Sequence, residues 1–355
     1  MKKWLGILGV LVLLCGCADK EDVKVNDSVS KDNPSGDLAP LSKKTKVVIA
    51  EDGSASGAGF YIADKKGYFE DYNIEVEFAT FANSDDMLPA LASGEVDIAG
   101  GISSASFFNA IAQGIDVKII ADKGHNVKGK SYFSFVIAAD KQNEIKEYSD
   151  LKGKKIAVST KHALDDYIYH QMLEHAGLKE DEAEFVLMSD FGNMLAAIQT
   201  GSIDAALQIE PLITQGISQG IHVRLGDATD FAPEAQIAMV LGSPKFMEEE
   251  QDVSLRFMTA YLKGVRDYND AFKKDIGKDE IIDIMTQYTA LKDAAVWDDV
   301  FVTGLDPDGK MFIDNIQEQY DMYKKNGAIK GEINFKDAIN TEITEKAVKI
   351  IGEYE

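Results

Sequence analysis

Beyond Cys17 the 355-residue chain contains no cysteine, Cys15 and Cys17 being its only two. A body without thiols carries no disulfide, no thiolate nucleophile and no cysteine-ligated metal. Arginine is almost as scarce: Arg224, Arg256 and Arg266 are the whole supply, and none falls in a loop expected to face a cleft. A bidentate guanidinium clamp for carboxylate or phosphate is therefore not indicated. The five histidines (His125, His162, His170, His175 and His222) show no metal-ligand spacing, and His170 and His175 share a helix face poorly. No serine occupies a nucleophile elbow, and acids are too numerous for one catalytic pair to stand out. "DPDGK" at Asp306 starts like a calcium loop but lacks the later ligands, so it reads as a turn. "GAGFYIA" approaches a dinucleotide fingerprint but lacks its third glycine, and "IEVEFATF" carries no ribose-binding acid at its end. Basic side chains number 37 against 60 acidic ones, giving a net charge of −23, a balance that disfavours nucleic acid and polybasic contact with anionic lipid. No catalytic residue, cofactor or metal is expected.

The N-terminus supplies an address. Lys2 and Lys3 precede an apolar run from Trp4 to Leu14 that is too short to span a bilayer, the pattern of a secretory signal over residues 1–16. "LCGC" ends it, and this spacing resembles the lipobox of bacterial lipoproteins, which implies acylation of Cys17 and attachment to the outer face of the cell membrane. Residues 17–44 are polar and read as a lipidated cysteine with a disordered tether.

The remaining body repeats itself. "MLPALASGEVDIAGG" from Met87 returns as "MLAAIQTGSIDAALQ" from Met194, offset by 107 residues without a gap. Around the first copy, "TKVVIA", "IEVEFATF", "VDIAGG" and "VKIIAD" read as strands, alternating with helical patterns that close on Gly67, Gly94 and Gly114. Around the second, "KKIAVS", "AEFVLM", "IDAAL" and "HVRL" alternate with helices in the same order. Such alternation implies parallel sheets with right-handed crossovers. The fold class expected is α/β, a two-lobed clamshell in which each lobe is a parallel-rich sheet flanked by helices. "SYFSFVIAAD" and "AQIAMVLGSP" are placed as a two-strand hinge. Lobe 1 is set at 45–139, lobe 2 at 140–234, and the return strand with C-terminal helices at 235–355, a monomer.

Ligands of open parallel sheets sit beyond the carboxyl ends of the strands, where loops enter helix N-termini. Six residues after Asp97 comes Ser103, and six after Asp204 comes Glu210, so these pseudo-equivalent positions should face one another across the cleft. Ser104 is a natural helix cap beside Ser103. The loop after the first strand offers Ser54 and Ser56 in lobe 1, and Ser159, Thr160 and His162 in lobe 2. Phe191 offers an apolar wall and Tyr132 lies next to the hinge. Convergent helix N-termini suit an anionic or strongly accepting group.

The segments "KKGYFEDYNIEVEFATF", "LPALASGEVDIAGG", "SSASFFNAIAQGIDVKIIADKG", "DLKGKKIAVST" and "IDAALQIEP" resemble the solute-binding lipoproteins of ABC importers. The resemblance is to the nitrate/sulfonate/taurine and thiamine-pyrimidine-precursor binding class, and it runs from about Lys46 to the helical tail. It implies a periplasmic-binding-protein fold and closure of two lobes on one small molecule: a sulfonate- or nitrate-like anion, or a heteroaromatic vitamin precursor. It also implies delivery to ABC permease subunits, and loops at "GISS", "STKH" and "IEP" that line the cleft. The same fold includes an enzyme branch acting on the thiamine pyrimidine that depends on a cysteine-rich motif, which this chain lacks. That branch and a ligand-sensing lipoprotein without transport are the alternatives.

Overall fold

The computed structural model describes residues 38–81, 84–127, 131–300 and 303–355. The signal segment, Cys17 and most of the tether lie outside these residues. The tether's last residues depart from expectation. Leu41 is buried, its N–H donates to the Tyr72 carbonyl at 3.1 Å, and Arg256 Nε donates to Ala39 O at 2.7 Å. A leucine in an otherwise polar stretch finds apolar cover, so lobe 1 begins before residue 45.

The first unit runs β1 (Thr45–Glu51), α1 (Ala58–Lys65), β2 (Ile74–Thr80), α2 (Ser84–Ser93), β3 (Ile98–Gly101), α3 (Ala105–Ala112) and β4 (Lys118–His125). After β5 (Phe133–Ala138) the second unit runs β6 (Lys155–Val158), α4 (Leu164–Ala176), β7 (Glu184–Leu187), α5 (Phe191–Gln199), β8 (Ala205–Ile209), α6 (Leu212–Ser218) and β9 (His222–Asp227). There follow β10 (Gln236–Gly242), α7 (Pro244–Glu248), α8 (Gln251–Lys274), α9 (Lys278–Tyr288), α10 (Ile313–Lys325) and α11 (Glu342–Ile351).

Among the described residues the strands form two five-stranded sheets, ordered β2-β1-β3-β10-β4 and β7-β6-β8-β5-β9. The two orders are the same under the repeat, with β10 and β5 taking the same antiparallel place in opposite sheets. The chain therefore crosses between β4 and β5 and returns between β9 and β10. The lobe boundary drawn at residue 139 is corrected by this: β5 pairs with β8 and β9 and belongs wholly to the second lobe. Strand-like sequence alone does not say which sheet a crossing strand joins.

One carboxylate per lobe explains why the repeat keeps its spacing. Asp97 accepts the Val48 N–H at 2.9 Å while its own N–H donates to Val48 O at 3.0 Å. Asp204 does the same with Lys155, at 2.9 Å in both directions. Val48 and Lys155 are themselves 107 residues apart. The register follows suit: Ile49 opposes Ile98 in the first sheet and Ile156 opposes Ala205 in the second. Gly94 and Gly201 close α2 and α5 at φ +73° and +71°, a left-handed turn that a Cβ would strain.

The helical tail packs mainly on lobe 1. A Cβ on Gly264 of α8 would come within 2.3 Å of Gly59 O on α1, so two glycines set how closely these helices approach. α8 buries Leu255, Met258, Tyr261, Leu262 and Val265 along that face. The tail also reaches the second lobe: Thr214 Oγ1 donates to Asp299 O at 3.3 Å, and Asn315 Nδ2 to Tyr167 OH at 3.1 Å.

A charge-assisted hydrogen bond to backbone is worth about 1.5–3 kcal/mol. Asp97→Ala and Asp204→Ala should each lower unfolding free energy by about that amount in urea denaturation. Asn at either position should recover part of it, since its carbonyl oxygen can still accept the strand N–H.

Candidate ligand-binding site

A narrow cavity of about 40 Å³ lies where the two sheets face each other. Its lining is drawn from the strand ends of both lobes. Asp52, Ser54 and Ser56 follow β1, Ser84 opens α2 after β2, Gly100 and Ile102 end and follow β3, and Lys123 stands near the end of β4. From the second lobe come Ser159 and Thr160 after β6, Asp165 in α4, Phe191 at the start of α5 and Ile209 at the end of β8. The antiparallel strands present their amino ends at the same place, Tyr132 and Phe133 entering β5, Ile237 and Ala238 opening β10. A wider recess lined by Tyr167, Phe231 and Met311 is framed by α4, the β9–β10 crossing and the start of α10. None of β1 to β4 or the loops that follow them contributes to its lining.

The wall from lobe 1 is a linked polar network. Lys123 Nζ lies 2.8 Å from Glu51 Oε1 and donates to Ser56 Oγ at 3.0 Å, and Ser56 shares a 2.9 Å hydrogen bond with Ser54. Tyr61 OH donates to Glu51 Oε2 at 3.0 Å, and the Ser54 N–H donates to Asp52 Oδ1 at 3.0 Å. Lys123 and Glu51 are 1% and 4% exposed, so each charge is taken from water and answered by the other. Room for the pair comes from Gly100: a Cβ there would fall 1.9 Å from Glu51 Oε1 and 2.3 Å from Lys123 Cε. Burial pushes the Glu51 carboxyl up to about 7, with the Lys123 charge opposing.

The wall from lobe 2 carries one buried acid among hydroxyls and rings. Ser159 Oγ donates to Asp165, and Ser159 and Thr160 hydroxyls lie 3.2 Å apart. Asp165 is 1% exposed, and burial pushes its carboxyl up to about 6 against the Ser159 hydrogen bond. Tyr132 and Phe133 meet edge to face at 5.2 Å, and Phe191 follows at 6.5 Å from Phe133. The buried Tyr132 hydroxyl interacts with Ser54 and Ser56, so this residue of one crossing touches the loop of the other lobe.

Of the side chains expected from sequence, the fold brings Ser54, Ser56, Tyr132, Ser159, Thr160 and Phe191 to this cavity. Ser103, Ser104, His162 and Glu210 do not line it. Ser103 and His162 meet through backbone: Leu164 N–H donates to Ser103 O at 3.1 Å and Ala105 N–H to His162 O at 2.8 Å, forming a bridge between the lobes at Ser104 and Ala163. The Ser103 hydroxyl turns to Tyr323, and that of Ser104 accepts the Phe107 N–H and donates to Asp85. His162 holds φ +56°, with its N–H on Asp166. Glu210 is fully buried within lobe 2, accepting from Thr214 N at 3.1 Å, Thr214 Oγ1 at 3.0 Å and Arg224 at 3.1 Å. Ser103 and Glu210 are equivalent under the repeat but do not face one another across the cavity: Arg224, one strand later, draws the Glu210 carboxylate into lobe 2.

Sequence reasoning missed Asp52, Lys123 and Asp165. Lys123 reads as the polar end of a strand, and its burial depends on Glu51 and Gly100, both distant in sequence. Asp165 gave a visible signal as an acid in the first turn of a helix that follows a strand.

The helix N-termini around the cavity also differ from expectation. α2 carries Asp85 and Asp86 in its first turn, α4 carries Asp165 and Asp166, and α5 is capped by Asp190, which accepts the Asn193 N–H at 2.7 Å. The positive helix ends are already answered by the chain's own carboxylates. Among the described residues no group of three or more His, Cys, Asp or Glu is arranged to hold a metal, and no helix is long and apolar enough to cross a membrane.

A family model described as NMT1/THI5 like matches residues 54–271, from the loop after β1 through most of α8. The chain belongs to the NMT1/THI5-like family. A putative binding protein of Brucella abortus, BAB2_1146, is 26% identical over 212 residues, 59% of this chain and 62% of that protein. The chain thus spans under two thirds of the length of that relative. A putative thiamine biosynthesis protein of Haemophilus influenzae is 28% identical over 151 residues, 42% of this chain and 45% of that protein. In fold, the chain is similar to the alkanesulfonate-binding protein SsuA of Xanthomonas axonopodis pv. citri, bound to MOPS. The TM-score is 0.68 at 16% identity, covering 84% of this chain and 99% of that one. The periplasmic-binding-protein architecture is therefore that of this NMT1/THI5-like chain.

Two variants test this description. Glu210→Ala should destabilise the protein by about 1.5–3 kcal/mol, because Thr214 and Arg224 lose a buried charged acceptor while Arg224 keeps Asp227. Chemical denaturation measures it. Asp165 is an acid whose folded pKa of about 6 lies above its unfolded value, so its stabilisation is fully present in acid and falls as pH rises from about 4 to 6. Asp165→Asn should raise the melting temperature at pH 7.5 and have little effect at pH 4, the difference being on the order of 3 kcal/mol. Some slope should remain between about pH 4.5 and 7, where Glu51 titrates in the same sense.

Proposed function

We propose that this protein is the extracytoplasmic solute-binding lipoprotein of an ABC importer. It takes one small molecule into the cavity between its lobes by closure and delivers it to permease subunits. Cys17, acylated, holds it to the outer face of the membrane. The observation that carries the reading is the shared cavity: Ser54, Ser56 and Lys123 from one sheet face Ser159, Thr160, Asp165 and Phe191 from the other. A molecule held there touches both lobes, and only a ligand with different affinity for open and closed forms can shift their balance.

The names of similar proteins support a binding role and leave two ligand classes, a sulfonate- or nitrate-like anion and a heteroaromatic vitamin precursor. The residues proposed to contact it are Ser54, Ser56, Tyr132, Ser159, Thr160 and Phe191, joined by Asp52, Lys123 and Asp165. No residue is assigned a catalytic role, and no cofactor or metal.

The test is native mass spectrometry of gently purified protein, followed by thermal shift with the retained molecule. A ligand bound by the folded form alone raises the melting temperature by mass action, by about 2.7 kcal/mol of stability at one hundred times Kd. The mass of the bound molecule should return unchanged after incubation. Steady conversion of it to a product would overturn the reading in favour of an enzyme.

A further inference from the structure

We infer that a second small-molecule site lies on the flank of the hinge, in the recess between α4, the β9–β10 crossing and the start of α10. It takes an organic cation with an apolar body, such as an arylalkyl ammonium. The site is separate from the cavity between the sheets, and its failure would leave the binding-protein reading untouched.

The recess has a volume of about 760 Å³. Pockets for small organic ligands span about 300–1,000 Å³. Its walls are pinned before any ligand arrives. Phe312 N–H donates to Gln236 Oε1 at 2.8 Å and Gln236 N–H to Asn315 Oδ1 at 3.0 Å, which fixes the start of α10 to β10. Asn315 Nδ2 donates to Tyr167 OH at 3.1 Å, which fixes the same turn to α4. Gln236 is itself buried and donates through Nε2 to Asp122 Oδ1 at 2.6 Å. Crossing, helix and lobe 2 wall therefore stand in one arrangement with space between them.

The inside of the recess is apolar and its edge is acidic. Tyr167, Phe231, Met311 and Met322 are buried or half-buried in the lining, while Phe312 and Ile313 stand 38% and 40% exposed beside them. Large apolar side chains left in water at a concavity gain from an apolar occupant. Glu234, Asp314 and Glu318 supply the charge, all three exposed, and no lysine, arginine or histidine lines the recess. Glu318 accepts from Tyr167 OH and Asn315 Nδ2 through Oε2 alone, so neither bond occupies Oε1. His125 meets the Phe312 ring edge to face at 5.2 Å, but its Nδ1 lies 3.1 Å from Asp122 Oδ2, so a charge on it is answered there. An anion entering the recess would meet three carboxylates and no cation. A neutral ring would gain burial alone. An ammonium on an apolar body gains twice, its charge near the carboxylates and its carbon skeleton against rings and thioethers.

Calorimetry on the signal-free protein tests this with benzyltrimethylammonium as the probe. Tetramethylammonium carries the charge without the body, and 3-phenylpropionate carries a similar body with the opposite charge. The expected result is sub-millimolar binding of the probe, weakened by added salt, with neither control bound at that concentration. Glu234→Gln, Asp314→Asn and Glu318→Gln combined should weaken binding ten-fold or more at an unchanged melting temperature, since all three side chains are exposed. Phe312→Ala should weaken it as well, and Asp165→Asn, which alters the other cavity, should bind the probe as wild type does. Tetramethylammonium binding as tightly as the probe would reduce the effect to counter-ion attraction by an acidic protein and overturn the inference. So would binding of 3-phenylpropionate, or no binding of the probe at millimolar concentration. Binding kept by the triple variant and lost in Asp165→Asn would place the cation between the sheets and overturn it too.

Discussion

A carboxylate standing one residue before the third strand of each lobe fixes the geometry on which the cavity depends. Asp97 grips Val48 and Asp204 grips Lys155, each through an N–H donated to the carboxylate and an N–H returned to the strand carbonyl. This double contact leaves one register for β3 on β1 and for β8 on β6. A slip by one residue would turn every side chain to the opposite face. With the register set, the strands end at matched heights, and the loops of β1, β3, β6 and β8 open towards one place. The 107-residue offset is therefore a consequence of two sheets built to the same bond, and not merely a trace of duplication.

Onto this scaffold the protein places buried charge that folding alone does not favour. Glu51 and Lys123 compensate one another, yet two apolar side chains would fill their volume at less desolvation cost. Asp165 has a hydroxyl partner and no counter-ion among its recorded bonds, so its ionised form opposes folding near neutral pH. The glycine at position 100 exists to admit the Glu51–Lys123 pair, since any side chain there would collide with both. Buried charge where the two lobes face each other is the pattern expected of a wall shaped for a ligand.

Much of the fold was legible because it rests on local signals. Strand and helix periods, the serine and aspartate caps and the closing glycines are all short-range, and the gapless repeat tied them into two equivalent units. The sheet joined by β5 was not legible, because its neighbours β8 and β9 lie far along the chain. At the site, loops after first strands could be located, so Ser54, Ser56, Ser159 and Thr160 reach the cavity. Glu210 could not be judged without knowing that Arg224 on the next strand stands beside it. Ser103 and His162 fell on correct loops, but their backbones pair with each other across the lobes. The helix ends are the clearer lesson. Asp85, Asp86, Asp165, Asp166 and Asp190 were in plain view beside helix starts, and an acid in the first turn answers the same dipole that an anionic ligand would need.

The two walls differ where the two scaffolds agree. Gly100 and Gly101 of lobe 1 correspond to Leu207 and Gln208 of lobe 2, and Glu51 corresponds to Val158. In lobe 1 the small residues make space for an ion pair. In lobe 2 the same positions are filled, and Gln208 holds the loop at Phe191 through a 2.9 Å bond to its carbonyl. One unit thus presents an ion pair with serine hydroxyls, the other rings and hydroxyls around a single buried acid. A molecule held between them would meet unlike partners on its two sides despite the near-twofold frame. The repeat supplies two matching halves, and divergence at three or four strand-end positions makes the two faces of the space between them unlike.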